Sequence, residues 1–149
     1  MEKLSWSSMN LVKMICGNMR IIKFRGKRLV SNDWEYGNLI QRPDGGNFIE
    51  TGDLRICPLQ DDTICQFTGW YDKDGKEMYE GDILDLYIPK NNIGKPEHRK
   101  RKIIFDQDKG GFSIVNKHNS CICDAVTTSI ELIYTVIGNV YDTPELLEA

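Results

Sequence analysis

The cysteines and histidines of this chain are the residue types that could bind a metal. Cys121 and Cys123 are spaced to lie on the same side of a strand, and His118 precedes them by three residues. Structural zinc sites usually contain Cys-x₂-Cys pairs, a spacing that this sequence lacks. Buried free cysteines are the ordinary alternative, because a thiol packs as a small hydrophobe. We therefore predict no metal site. If the protein did bind zinc, Cys121, Cys123 and His118 would be the candidate ligands.

Catalysis by a cysteine nucleophile would need a base beside the thiol. His98 and His118 are the only imidazoles, and nothing in the sequence supports a catalytic Cys/His arrangement. The sequence also has no glycine-rich phosphate loop and no metal-ligand helix motif. We expect no catalytic residues, no cofactor and no enzymatic activity. Five cysteines, an odd number without an export signal, indicate reduced thiols and a cytoplasmic protein.

Asp72, Asp74 and Gly75 form an acidic turn whose composition resembles that of a calcium-binding loop. An EF-hand loop has oxygen ligands at its first and twelfth positions and Gly at its sixth. If Gly75 is the sixth residue, Trp70 is first and Gly81 is last, and neither supplies a carboxylate. The pattern instead predicts a tight turn, in which Asp accepts backbone N–H bonds and Gly adopts a positive φ.

Two basic stretches interrupt an acidic chain whose net charge is −3. Residues 19–30 contain five bases and no acid, whereas residues 31–94 contain thirteen acids and five bases. The second basic stretch, residues 95–102, is predicted to lie in a polar loop and could contact nucleic acid. Its cations are Lys95, Arg99, Lys100, Arg101 and Lys102, and the first stretch could add Arg25, Lys27 and Arg28. The alternative is a solvated segment whose charge protects a sheet edge.

The tryptophans are the side chains best suited to anchor a protein partner, because aromatic residues are enriched at the energetic centres of interfaces. Trp34 and Trp70 lie within or beside predicted strands, and this favours burial for both. Trp70 also adjoins the acidic turn. We take Trp70 as the candidate partner contact.

Short strands separated by turn residues must position these groups. Alternating apolar and charged residues predict a first strand near 20–25, and Trp34–Ile40 predicts a second. Pro43–Gly46 has the composition of a hairpin connection that returns at Asn47–Glu50. Further strands are predicted at 64–67, 76–80, Ile83–Ile88, Lys102–Asp106, Phe112–Asn116 and within Ile130–Val140.

The end of the chain predicts a different element. Thr143 is a suitable N-cap, Pro144 suits the first helical position, and Glu145 places an acid in the first turn. We expect a short C-terminal helix over Pro144–Glu148. Together with the short strands, this predicts one mainly β domain, a barrel or a sandwich.

Four blocks of the sequence resemble the YopX family of small proteins encoded by bacteriophages and prophages. They are Met19–Lys27, Gln66–Glu77, Tyr79–Ile83 and Val136–Leu147. The resemblance implies a single β domain over residues 19–149, with an SH3-like barrel and hairpin extensions. Residues 1–18 would be a variable or disordered N-terminal extension, and the alternative is that Met19 is the true start. The family has no accepted catalytic residues, and Trp70 departs from the smaller aliphatic residue expected after its Thr-Gly pair.

These observations favour a phage- or prophage-derived accessory protein. We expect a non-enzymatic binding module that contacts a protein partner or a second copy of itself. Nucleic-acid binding through residues 95–102 is the alternative function. We expect no membrane contact, because no apolar run approaches the roughly 18 residues needed to span a bilayer.

Overall fold

The structure is a computed structural model that describes residues 19–90, 93–120 and 133–148. These residues form ten β-strands and two short 3-10 helices. The first five strands are β1 (Phe24–Lys27), β2 (Trp34–Gln41), β3 (Asn47–Glu50), β4 (Ile56–Pro58) and β5 (Cys65–Tyr71). The others are β6 (Glu77–Tyr79), β7 (Asp82–Ile88), β8 (Glu97–Asp106), β9 (Gly111–Val115) and β10 (Tyr134–Asn139). The 3-10 helices are Asp61–Thr63 and Pro144–Leu147.

The strands pair antiparallel in two sheets. One sheet has the order β4-β3-β2-β1-β5-β6, and the other has the order β10-β7-β8-β9. The chain crosses from the first sheet to the second at Glu80 and Gly81. Gly81 has a φ of 80°, and a Cβ at this position would lie 3.1 Å from the ring of Tyr141. The positive φ therefore favours glycine at the crossing, and a larger residue would also require the ring of Tyr141 to shift.

The structure has two hydrophobic clusters, and the larger one contains residues from both sheets. Along β7, Leu84, Leu86 and Ile88 face the larger cluster, which is the alternation expected of a strand with one face on a core. The larger cluster contains Met78, Leu84, Leu86, Ile103 and Tyr134, with Trp70 and Phe112 packed against it. The smaller cluster contains Cys65, Phe67 and Tyr79.

The prediction of a basic loop over residues 95–102 is wrong for most of its length. Strand β8 begins at Glu97, and its residues pair with β7 from Ile88↔Glu97 to Ile83↔Lys102. The run from His98 to Lys102 has no apolar residue to mark it as a strand. Pairing with the apolar strand β7 imposes the extended conformation, which outweighs the local composition.

The mainly β fold is confirmed, whereas two finer features of the prediction are not. Pairing among the described residues gives two sheets and no closed barrel, so the SH3-like barrel stays a prediction. The C-terminal segment Pro144–Leu147 is a single 3-10 turn rather than an α-helix. No helix within the described ranges has the length and apolarity needed to cross a membrane.

Several strand boundaries also differ from the prediction. The first strand begins at Phe24 instead of near residue 20, and β5 continues to Tyr71 through a register irregularity between Phe67 and Tyr71. The strand predicted within Ile130–Val140 is Tyr134–Asn139. Two predictions lie outside the described residues, namely the extension over 1–18 and the possible ligands Cys121 and Cys123.

Candidate functional site

A buried ion pair joins the two sheets where the chain crosses between them. Nη2 of Arg25 on β1 lies 2.7 Å from Oδ1 of Asp82 on β7, with side chains 7% and 2% exposed. The other carboxylate oxygen of Asp82 accepts the N–H of Tyr79 at 2.8 Å. The guanidinium also lies over the rings of Trp34 and Tyr79, 4.7 and 4.8 Å from their centroids. Burial raises the pKa of Asp82, and the positive charge of Arg25 opposes that rise.

A second ion pair anchors the C-terminal block. Asp142 accepts hydrogen bonds from Nζ of Lys27 at 2.5 Å and from Nε1 of Trp34 at 2.7 Å. Hydrogen bonds from Lys27, Asn139 and Trp34 lower the pKa of Asp142 to about 2. From the sequence alone, Arg25 and Lys27 are possible phosphate contacts. Both side chains are instead buried in ion pairs within the protein.

The acidic turn is built by one carboxylate. Oδ1 of Asp72 accepts the N–H groups of Asp74 and Lys76, each at 2.9 Å, as the sequence predicts for a turn Asp. Oδ2 accepts the N–H of Val136 on β10 at 3.0 Å, a contact that the sequence did not predict. Burial tends to raise the pKa of Asp72, but these three backbone N–H groups lower it overall. Asp72 therefore fixes the turn and connects it to the second sheet.

The basic residues of β8 border a groove of about 320 Å³. Besides three predicted cations, the groove includes Lys117 and His118, which lie after β9 and were not part of the predicted set. Its lining residues are Arg99, Lys100, Arg101, Asn116, Lys117, His118 and Leu147. The predicted Lys102 borders a different groove, and Lys95 is exposed ahead of β8.

Carboxylates neutralise much of the charge in this basic groove. Asp85 lies 2.7 Å from Nζ of Lys100 and 2.6 Å from Nδ1 of His98. Burial tends to raise the pKa of Asp85, but the hydrogen bonds from Lys100 and His98 lower it overall. Two further pairs are Arg99 with Glu97 at 2.6 Å and Lys117 with Glu148 at 3.8 Å. Because phosphate binding depends on uncompensated cations, this pairing weakens the case for nucleic acid.

A third groove lies between the two sheets, and we call it the Glu80 groove. Its volume is about 310 Å³. Phe24, Ile64 and Gln66 come from the first sheet and the segment before β5, whereas Phe105 and Gln107 come from the end of β8. The ring of Phe105 is 43% exposed. Glu80, at the crossing between the sheets, lines this groove and also an adjoining one of about 230 Å³.

Glu80 differs from the other acids around it. Burial raises its pKa, and the backbone amides of Gln66 and Phe105 partly oppose that rise. None of the ion pairs formed by the described residues includes Glu80. A half-buried carboxylate with a raised pKa in a cleft is a candidate for function. No sequence pattern marks Glu80 as a site, because its neighbours are set by the pairing of distant strands.

The remaining predicted residues lie elsewhere. Trp70 is half-buried against the larger cluster, with its ring in edge-to-face contact with Phe112 at 6.4 Å, and its role as a partner contact stays a prediction. Cys57 and Cys65 are buried, and burial raises the pKa of the Cys65 thiol. A thiol with a raised pKa is a poor nucleophile. His118 is exposed in the turn before the residues that are not described.

Comparisons with known proteins identify the family. A family model described as "YopX protein" matches residues 23–148. No curated protein matches the chain. The chain is similar in fold to the crystal structure of protein EF1440 from Enterococcus faecalis, with a TM-score of 0.52 and 23% identity, over 87% of this chain and 99% of that one. On the family match, which spans most of its length, this chain belongs to the YopX family.

Proposed function

We propose that this protein is a non-enzymatic binding module that acts through contacts with a protein partner. The observation that carries the proposal is the Glu80 groove, which combines the exposed ring of Phe105 with a half-buried carboxylate. Aromatic side chains are enriched where protein partners bind most tightly. A phage or prophage origin, a cytoplasmic location and an SH3-like barrel belong to the same proposal, and family membership supports them.

The basic groove along β8 supports a second candidate, nucleic-acid binding. Arg99, Lys100 and Arg101 line it with Lys117, which gives four cations in one place. We rank this function lower because Glu97, Asp85 and Glu148 pair with three of them. Labelled DNA and RNA at low and moderate salt provide the test. Binding that falls steeply with salt, and that is lost on Lys117→Ala, would favour nucleic acid.

Site-specific photocrosslinking tests the protein-contact proposal. A photoreactive benzoylphenylalanine replaces Gln107 in the groove or, as the matched control, Asp44 at the exposed tip of the β2–β3 hairpin. In a lysate of the bacterial host, the proposal predicts a discrete adduct from position 107 that survives nuclease and is missing from position 44. An adduct of twice the protein's mass would identify a second copy as the partner. Equal labelling at both positions, or none, would contradict the proposal.

A further inference from the structure

We propose that the Glu80 groove binds an arginine side chain that the protein partner presents. This inference rests on the proposed function and names the chemistry of the partner. It follows from the charge of the groove, the shape of its walls and the hydrogen-bonding groups that line it.

Glu80 differs from the neighbouring acids in how its charge is compensated. Around the crossing, acids in the described part of the chain pair with cations: Glu77 with Lys23, Asp82 with Arg25 and Asp142 with Lys27. Asp72 instead receives three backbone N–H groups. Glu80 is half-buried and interacts with the backbone amides of Gln66 and Phe105, but it has no ion-pair partner among the described residues. A half-buried carboxylate without a cation bears part of the cost of burying a charge, and a cation from a partner would relieve that cost.

The walls of the groove suit a flat cation. Phe24 and Phe105 supply aromatic rings, and a guanidinium stacks favourably on such faces. Gln66 and Gln107 supply side-chain carbonyl oxygens that can accept N–H bonds, in addition to the carboxylate of Glu80. Arginine carries five N–H donors in one plane, whereas lysine offers three on a single nitrogen. The groove therefore favours arginine over lysine.

The size of the groove is sufficient for one side chain. Its volume of about 310 Å³ is at the lower end of the roughly 300–1,000 Å³ typical of small-molecule sites. The open rim and the exposed Phe105 would allow the partner's backbone to remain on the surface. A single anchor residue from a protein fits these dimensions.

Two cations of the protein itself lie near Glu80. Nη2 of Arg25 donates to the backbone carbonyl of Glu80 at 3.3 Å, but its charge is paired with Asp82. Lys102 lines the adjoining groove, which Glu80 also borders. Lys102 forms no ion pair with Glu80, so the carboxylate remains available to a cation entering between Phe24 and Phe105.

A titration of the ¹⁵N-labelled full chain with N-acetylarginine amide tests the inference. The matched probe is N-acetylcitrulline amide, which has nearly the same shape and no charge. We expect saturable shifts at Gln66, Glu80 and Phe105 with a Kd of about a millimolar. The citrulline probe should bind about tenfold or more weakly, because the hydrogen bonds to a charged donor are lost.

Three variants complete the test. Glu80→Gln should weaken arginine-probe binding about tenfold or more, and Phe105→Ala should weaken it less. Asp44→Asn, which removes the same charge from an exposed turn, should leave binding unchanged. The ¹⁵N spectrum of each variant also reports whether it is folded, so a loss of binding can be separated from a loss of structure.

The outcomes separate this inference from the proposed function. Shifts confined to the groove and lost in Glu80→Gln would support arginine recognition. The photoreactive residue at position 107 could crosslink to a protein partner while neither probe shifts the NMR signals of the groove residues. In that case the arginine inference is overturned and the proposed function stands. If there is neither a crosslink nor a shift, both are overturned.

Discussion

Glu80 and Asp82 are two residues apart at the crossing between the sheets, yet their surroundings are opposite. Asp82 is 1% exposed and pairs with Arg25, so its charge is balanced inside the protein. Glu80 faces a groove and has no ion-pair partner in the described part of the chain. One short motif therefore supplies a carboxylate that holds the fold together and a second that faces a groove.

Removing Arg25 should have the largest effect. Arg25→Met leaves the carboxylate of Asp82 buried without its cation, which should lower the free energy of unfolding by about 3–5 kcal/mol. Urea denaturation measures this loss. The control is Arg20→Met at an exposed position, where we expect a change within about 0.5 kcal/mol. A loss below about 1 kcal/mol in Arg25→Met would break the contrast between the two acids.

Asp72→Ala should have the next largest effect. It deprives three backbone N–H groups of their acceptor and releases β10 from the turn, so we expect a loss of about 2–3 kcal/mol. Asp74→Ala in the same turn changes an exposed side chain and should cost little. Equal losses in the two variants would show that the turn depends on composition rather than on the contacts of Asp72.

Asp142 should give a smaller, pH-dependent effect. Its folded-state pKa of about 2 lies below the ordinary value of 3.8, so its contribution is present above pH 3.8 and is lost as pH falls towards 2. The side chain is 38% exposed, and solvent screening reduces the contribution to about 1 kcal/mol. Asp142→Asn should remove that part of the acid dependence when unfolding is measured across this range. An unchanged acid dependence would contradict the anchoring role.

Glu80→Gln should have the smallest effect and the opposite sign. Burial raises the pKa of Glu80 above 4.5, so the unfolded chain ionises first and stability falls as pH rises through the folded-state pKa. Removing the charge should therefore raise the free energy of unfolding near neutral pH, by at most about 1 kcal/mol. A thermal unfolding series against pH measures this. A clear destabilisation at neutral pH would show that Glu80, like Asp82, is a structural acid.

The sequence predicted the local features of this fold better than the distant ones. Turn composition located the hairpin at Pro43–Gly46 and the role of Asp72 in binding nearby N–H groups, because both depend on adjacent residues. It failed for β8, whose basic residues become extended only by pairing with β7. The Glu80 groove was also missed, since its walls come from residues 24 to 107 and meet only through the sheet order.

The most direct test of the account is a ¹³C NMR titration of the Glu80 side-chain carboxyl, with and without N-acetylarginine amide. In the free protein, the pKa of Glu80 should lie above its ordinary value of 4.5. The arginine probe should lower that pKa, because a bound cation favours the charged carboxylate, whereas the citrulline probe should leave it unchanged. A Glu80 that titrates at or below 4.5 and does not respond to either probe would contradict the claim that this carboxylate is held ready for a cationic partner.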